Sequence, residues 1–496
     1  MSDRGLTYLF GPIERRGLLG PVRAGQAALI AASAIAGIVA IDAARSPGGA
    51  LPGLGLVAAA LVAAFAPVGG RTLEEWGPIV LAFGLRRGRR RRPRATVATA
   101  GARWRWPGPV RTEAGAPRPS APPSATGVRI ASVTYRGREI GALSESGGRR
   151  LTAVLACRVG AFALLDRDAQ ERRLARWGMV LAAAAGTPLR RLQWVERTVP
   201  AQGDELARWL HDERDPALPP RGTPIVESYL ELISSSARVS QEHEILVALQ
   251  VDARAVRERG SQAVQRALAE QTERVARGLR DAEVTVLGAL GPGQLARALR
   301  TAFDTYARAE LAALDAAGGG AELDEVNAWP LGEREAWDHY RCDGALHATY
   351  WIGAWPRTGV SPMFMDSLLG QALAVRTVAV TFEPLPPDRS TREAESAVTR
   401  DRADRELRAR FGQSETARQR QAADATARRE AELAAGHAEV RLSGFVTVSG
   451  RDENDLRRAC AEVTDHAAGA RLELHRLYGQ QAQAFMFTLP LCRGLR

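Results

Sequence analysis

Three stretches of this chain hold residues whose types and spacing invite chemistry. His243-Glu244 opens like a zinc-protease helix, in which a second histidine three residues on would complete HExxH, but that position is Val247. Gly288, Gly291 and Gly293 sit between an apolar run and a helix-like run, where a dinucleotide loop would sit. Their order is GxxGxG, so they read as a tight turn before a helix N-terminus. His339, Asp343 and His347 are close in sequence and carry metal-ligand chemistry, yet Tyr340, Tyr350 and several tryptophans surround them, and a packed aromatic region is the simpler expectation. Cys157, Cys342, Cys460 and Cys492 are far apart with no CxxC pair, which points to reduced, buried thiols. No GxSxG elbow occurs. The expectation is a non-enzyme without cofactor or metal.

Composition narrows this further. All 67 basic residues of the 496 are arginine. Without lysine there is no GxxxxGK[ST] phosphate loop, no Schiff-base or Ser-x-x-Lys chemistry and no kinase lysine. This chain alone is therefore not a P-loop ATPase. The formal charge of +11 is concentrated: Arg86, Arg87, Arg89, Arg90, Arg91, Arg92 and Arg94 supply seven charges with no acid among them.

The elements around that cluster set the expected organisation. Ala24–Ile41 and Leu51–Val68 are each 18 residues long, uncharged and separated by nine residues. As helices each reaches roughly 27 Å, near the hydrocarbon thickness of a bilayer. The reading is a transmembrane hairpin (24–68) behind a short segment (1–23). Arginines at both flanks place both ends, and all that follows, on the cytoplasmic side of a bacterial inner membrane. Ala28, Ala32, Ala36 and Ala40 fall four apart, as do Gly55, Ala59 and Ala63, and such small-residue stripes suit close helix packing, within the hairpin or between copies. Residues 69–106 then read as an interfacial and Arg-rich segment meeting anionic lipid, with nucleic acid as the other anionic partner for the cluster.

A Pro-rich linker (107–126) leads to a cytoplasmic α+β (mixed α/β) domain (127–387). Strands are expected at Val128–Arg136, Leu151–Val159, Leu189–Val199, Ile245–Val251, Glu283–Leu290, Gly344–Ile352 and Val375–Phe382. Helices are expected from Asp166 as a cap to Ala185, near Asp204–His211, from Thr223 to Ser236, at Ser261–Arg280 and at Gln294–Tyr306. An inserted long helical segment (388–439), rich in Arg, Glu, Ala and Gln, reads as an exposed arm held by i,i+4 ion pairs or a docking coil. Residues 440–496 return to strand–helix–strand and complete the sheet.

The start, TYLFGPIERRGLL with two closely spaced apolar segments, resembles actinobacterial membrane proteins of conjugation-type (type IV) secretion and their PrgI-like two-helix subunit. LTAVLACRVGAFALLD, LQWVERTVP and FMFTLPLCRGL are similar to the amino-terminal, non-motor half of the conjugative secretion ATPase. The resemblance implies a scaffold that docks a separate ATPase at a polytopic channel protein, with a homo-oligomer as a further expectation. A type VII secretion membrane subunit, a membrane-anchored nucleic-acid-binding protein and a membrane enzyme of unseen chemistry are the other readings.

Overall fold

A computed structural model describes residues 24–44, 47–68, 71–89, 121–160, 162–200, 228, 241–308, 311, 326–356, 358–371, 374–410 and 417–495. The chain divides into two compact units, one of Pro12–Ala95 with Leu477–Gln480, the other holding the rest.

The smaller unit is helical. Alanine-rich sequence favours helix throughout, giving α1 (Ala24–Ala44) and α2 (Pro47–Phe65), then a two-residue ladder of β1 (Pro67–Val68) and β2 (Arg71–Thr72), then α3 (Leu73–Arg89). The α1–α2 contact runs along Gln26, Ser33 and Gly37 against Gly53, Ala60 and Ala64, all buried. Gln26 Nε2 donates to the Ala64 carbonyl at 2.7 Å, and a Cβ on Gly37 would stand 3.2 Å from the Gly53 carbonyl oxygen. The glycine is therefore what lets the helices approach.

This unit corrects the transmembrane hairpin. Among the described residues no helix is long and apolar enough to cross a membrane. The expected nine-residue join is mostly helix, so Asp42 lies inside α1, beside Gln26 and Ser33 as further polar positions, and α2 begins on Pro47-Gly48-Gly49. Alanine and glycine fill much of the remainder and contribute little apolar transfer free energy.

The larger unit is organised by one 12-stranded antiparallel sheet. In chain order its elements are β3 (Arg129–Tyr135), β4 (Arg138–Glu145), β5 (Arg150–Arg158), α4 (Arg167–Ala184), β6 (Leu189–Pro200), β7 (Gln241–Asp252), α5 (Ser261–Asp281), β8 (Thr285–Ala289) and α6 (Pro292–Phe303). There follow β9 (Glu333–Glu335), β10 (Tyr340–Cys342), β11 (Ala345–Ala354), β12 (Arg376–Pro384), α7 (Pro387–Arg410), α8 (Ala417–Ala434), β13 (Val440–Gly450), α9 (Glu453–Gly469), β14 (Glu473–Arg476) and α10 (Gln481–Phe485). The helices expected near Asp204–His211 and Thr223–Ser236, most of the linker, and the segment before Ala24 lie outside the described residues.

Helices cover both faces of the sheet. Val154, Val195, Leu246, Ala248 and Ala379 face a layer made by α6, α10 and the C-terminal tail. The alternate residues Leu155, Leu192, Val247 and Leu249 lie under α4 and α5, while Ile352, Val378, Val446 and Val448 lie under α9 and its surroundings. A strand buried on both faces has no polar side, which is why Ile245–Val251 reads as a nearly continuous apolar run.

The strand order, β3-β4-β5-β7-β6-β12-β13-β11-β10-β9, is the same pattern read inward from either edge. β8 shares an edge of β5 with β4, and β14 shares an edge of β11 with β10. The helices that precede β8 and β14 stop in the same way. After α5, Ala282 N–H bonds the Gly278 carbonyl, Val284 N–H bonds that of Leu279, and Glu283 takes φ 60°. After α9, Ala470 bonds His466, Leu472 bonds Ala467, and Arg471 takes φ 57°. Each is a left-handed helix stop normally given to glycine. The two repeats meet where β6 and β12 pair antiparallel with Val195 opposite Ala379, and each of these strands ends on a proline, Pro200 and Pro384. The unit is an internal duplication about a pseudo-twofold axis normal to the sheet.

Candidate functional site

Each chemically suggestive residue has a partner that explains it. His243, on β7, places Nδ1 3.0 Å from Glu196 Oε1 and 3.4 Å from Thr198 Oγ1. Glu244 accepts Arg197 Nη1 at 3.1 Å and Arg308 Nη1 at 3.4 Å. Arg197 is itself buried, donating Nη2 to the Ala298 carbonyl at 2.7 Å, and burial lowers its pKa against the pull of Glu244. The glycines form a packing joint. Gly291 N–H donates to Gln294 Oε1 at 3.0 Å, Gly141 N–H donates to the Leu290 carbonyl at 2.8 Å, and a Cβ on Gly141 would come within 2.7 Å of the Gly291 carbonyl carbon.

The third group builds the joint between the repeats. Asp343, in the β10–β11 turn at φ 45°, pairs with Arg300 of α6 at 2.6 Å, and both side chains are buried. Asp343 also accepts the backbone N–H groups of Leu331 (3.3 Å) and Gly332 (2.9 Å), and Arg300 Nη1 donates to the Trp329 carbonyl at 3.1 Å. A helix of the first repeat, a turn of the second and the loop before β9 are thus tied around one ion pair. His347 is fully buried beside it. Its Nε2–H donates to the Phe303 carbonyl at 2.9 Å and its Nδ1 lies 2.8 Å from the Ser449 hydroxyl. Burial lowers its pKa to about 4. Phe485 stacks on His347 at 4.6 Å and touches Phe303 and Tyr340. His339 turns instead to Asp338 at 2.9 Å. Three residues read as possible ligands therefore point to three different partners.

Among the described residues no group of three or more His, Cys, Asp or Glu is arranged to hold a metal ion. The cysteines are buried free thiols. Burial pushes Cys157 up to about 12 and raises Cys342, Cys460 and Cys492, which keeps all four protonated and unreactive. A depression of about 360 Å³ on α7 is lined by Arg389, Arg392, Glu393, Ser396 and Arg400, with none of the hydrophobic or aromatic side chains that small-molecule sites use.

Of the arginine cluster, Arg86, Arg87 and Arg89 belong to α3, whereas Arg90, Arg91, Arg92 and Arg94 lie outside the described residues. The small-residue stripes fall beside the helix contact rather than on it. Ala28, Ala32, Ala36, Gly55 and Ala59 are exposed, and Ala40 and Ala63 half-buried. Sequence reading missed Gln26 and Gly37 on the contact face; a lone polar residue and a lone glycine in an alanine run were the available signals.

The family model described as "Putative type VII ESX secretion system translocon, EccE" matches residues 239–352. No curated protein matches the chain. The matched segment runs from the start of β7 through α5, β8 and α6 to β11, and so contains the Arg300–Asp343 joint and His347. This finding overturns the resemblance to type IV conjugation proteins and to their ATPase. Of the stretches that carried it, TYLFGPIERRGLL lies outside the described residues, and β5, β6 and the C-terminal tail have apolar patterns that follow from burial in or against a covered sheet and do not discriminate between families. Over residues 239–352 the chain is similar to a translocon component of type VII secretion.

Proposed function

We propose that this protein is a non-catalytic, membrane-associated subunit of a type VII-like secretion translocon. Its helical unit meets the membrane and its duplicated sheet is a rigid platform for other subunits. The match of residues 239–352 to the translocon family model is the observation that carries the reading. Two features are consistent with it. Each suggestive side chain is committed to structure, and the chain lacks the lysine of a P-loop, so any ATP-driven step belongs to a partner. The other is the apolar surface of the helical unit, where Ile35, Ile38, Leu51, Leu54 and Val62 are each at least 60 % exposed.

The test is purification of the tagged chain from its native membranes in mild detergent, with mass spectrometry of what accompanies it. A polytopic channel subunit and a P-loop ATPase in stoichiometric amounts support the proposal. Recovery of the chain alone, with those proteins present in the same lysate, overturns it.

A further inference from the structure

The apolar exposure of the helical unit is not uniform, and on α3 it takes a form that fits one kind of surface. Val80, Leu81 and Leu85 are 52, 67 and 60 % exposed, whereas Ile79 on the opposite side is buried. At 100° per residue, positions 77, 78, 80, 81, 84 and 85 occupy an arc of roughly 160°, and beyond the first turn, where Glu74 falls in the same arc, every residue there is apolar, glycine or proline. The arginines do not fall at random around this arc. By the same spacing position 87 falls at one margin of the arc and position 89 at the other, and Arg87 is exposed. Acidic residues are confined to the first turn and turned inward. Glu75 accepts the Thr72 N–H at 3.2 Å, and the Glu74 carboxylate lies 3.2 Å from where a Cβ on Gly25 of α1 would stand.

A broad apolar stripe bracketed by arginines matches the section of a lipid monolayer, with acyl chains below and phosphates on either side. We propose that α3 lies in the plane of an anionic membrane surface, with Val80, Leu81 and Leu85 at the acyl boundary and the marginal arginines on lipid phosphates. The occupant is anionic lipid because the margins carry only positive charge. A neutral apolar protein partner would leave those charges uncompensated. The inference rests on the membrane-associated reading above and adds which element makes the contact, in which orientation and with which headgroups.

The four native cysteines are buried, so an environment-sensitive fluorophore can be placed on the full chain at Leu81→Cys, with Ser396→Cys on the exposed arm as the control. Flotation tests the membrane reading, and the label tests α3. With vesicles of equal parts phosphatidylglycerol and phosphatidylcholine, the Leu81 label should shift to the blue and be quenched by lipid-borne quenchers, and the Ser396 label should not. Arg87→Gln with Arg89→Gln should weaken binding roughly fivefold per arginine, and high salt should weaken it similarly. A chain that floats while its Leu81 label stays aqueous overturns the placement of α3. Equal response to pure phosphatidylcholine overturns the role of the arginines. A chain that does not float, or whose Leu81 label responds to DNA instead, overturns the proposal together with its membrane premise.

Discussion

At the scale of single residues, the joint between the repeats is where small changes should cost most. Removing one member of a buried ion pair leaves the other charged and desolvated, which costs about 3–5 kcal/mol. Asp343→Ala should therefore destabilise the fold by that amount in urea or thermal unfolding. The substitution also strips the acceptor from Leu331 and Gly332 N–H. A loss below 1 kcal/mol would mean that the pair is solvated in solution. His347 gives a pH signature. Its folded pKa of about 4 lies below the ordinary 6.5, so the unfolded chain takes up a proton first as pH falls. The neutral ring's contribution is complete above about pH 6.5 and is lost as pH drops toward 4, with about 3 kcal/mol at stake. Stability measured across that window should fall, and the fall should shrink in His347→Gln. An unchanged slope in the variant would assign the pH dependence to other groups.

Helix ends and close approaches carry the next level. The α9 N-cap, Asp452, accepts the N–H groups of Asn454 (2.8 Å) and Asp455 (2.9 Å), and Asp452→Ala should cost about 1 kcal/mol. At the other end of α9, Arg471 holds a left-handed conformation that disfavours any residue with a Cβ. Arg471→Gly should stabilise the protein by about 1 kcal/mol, because its hydrogen bond to Thr358 is exposed and worth little. The equivalent stop after α5 has Glu283 pairing with Arg173 and Arg176 on the surface, so Glu283→Gly should gain less. Denaturant midpoints of the two variants would check this, and a loss of stability in Arg471→Gly would contradict the left-handed stop. Gly141 illustrates the opposite constraint. Its Cβ would meet the Gly291 backbone at 2.7 Å, so Gly141→Ala should cost about 1–3 kcal/mol through displaced backbone.

For the whole molecule, the duplication has a thermodynamic consequence. β6 and β12 pair over seven residues at the pseudo-twofold axis, and a single apolar layer containing α6 and α10 spans both repeats. Neither repeat keeps a complete core without the other, so the sheet unit should unfold as one cooperative transition. Native-state hydrogen exchange would show this as equal, globally limited protection of Val195 and Ala379 amides. Separate transitions for the two repeats would instead make the β6–β12 seam a weak docking interface.

What the sequence determined by itself is local. Asp166 reads as a cap and caps α4, accepting Ala169 N–H at 2.8 Å, and the apolar runs at Leu151, Leu189 and Ile245 are strands because β-branched and leucine-rich segments of that length fit a covered sheet. The exclusion of lysine chemistry is likewise complete in the residue list. The tertiary structure decided everything that depends on partners distant in the chain. The pairing of β6 with β12, the duplication, the tie between Arg300 and Asp343 and the contact face of α1 each join residues whose local signals are silent about one another. Strand pairing joins residues as distant in the chain as Val195 and Ala379, and a left-handed stop at Glu283 or Arg471 carries no glycine to announce it. The apolar hairpin shows the same limit. Eighteen uncharged residues fixed a helix, but where that helix ended and which face met its neighbour followed from the packing of Gln26 and Gly37 against α2.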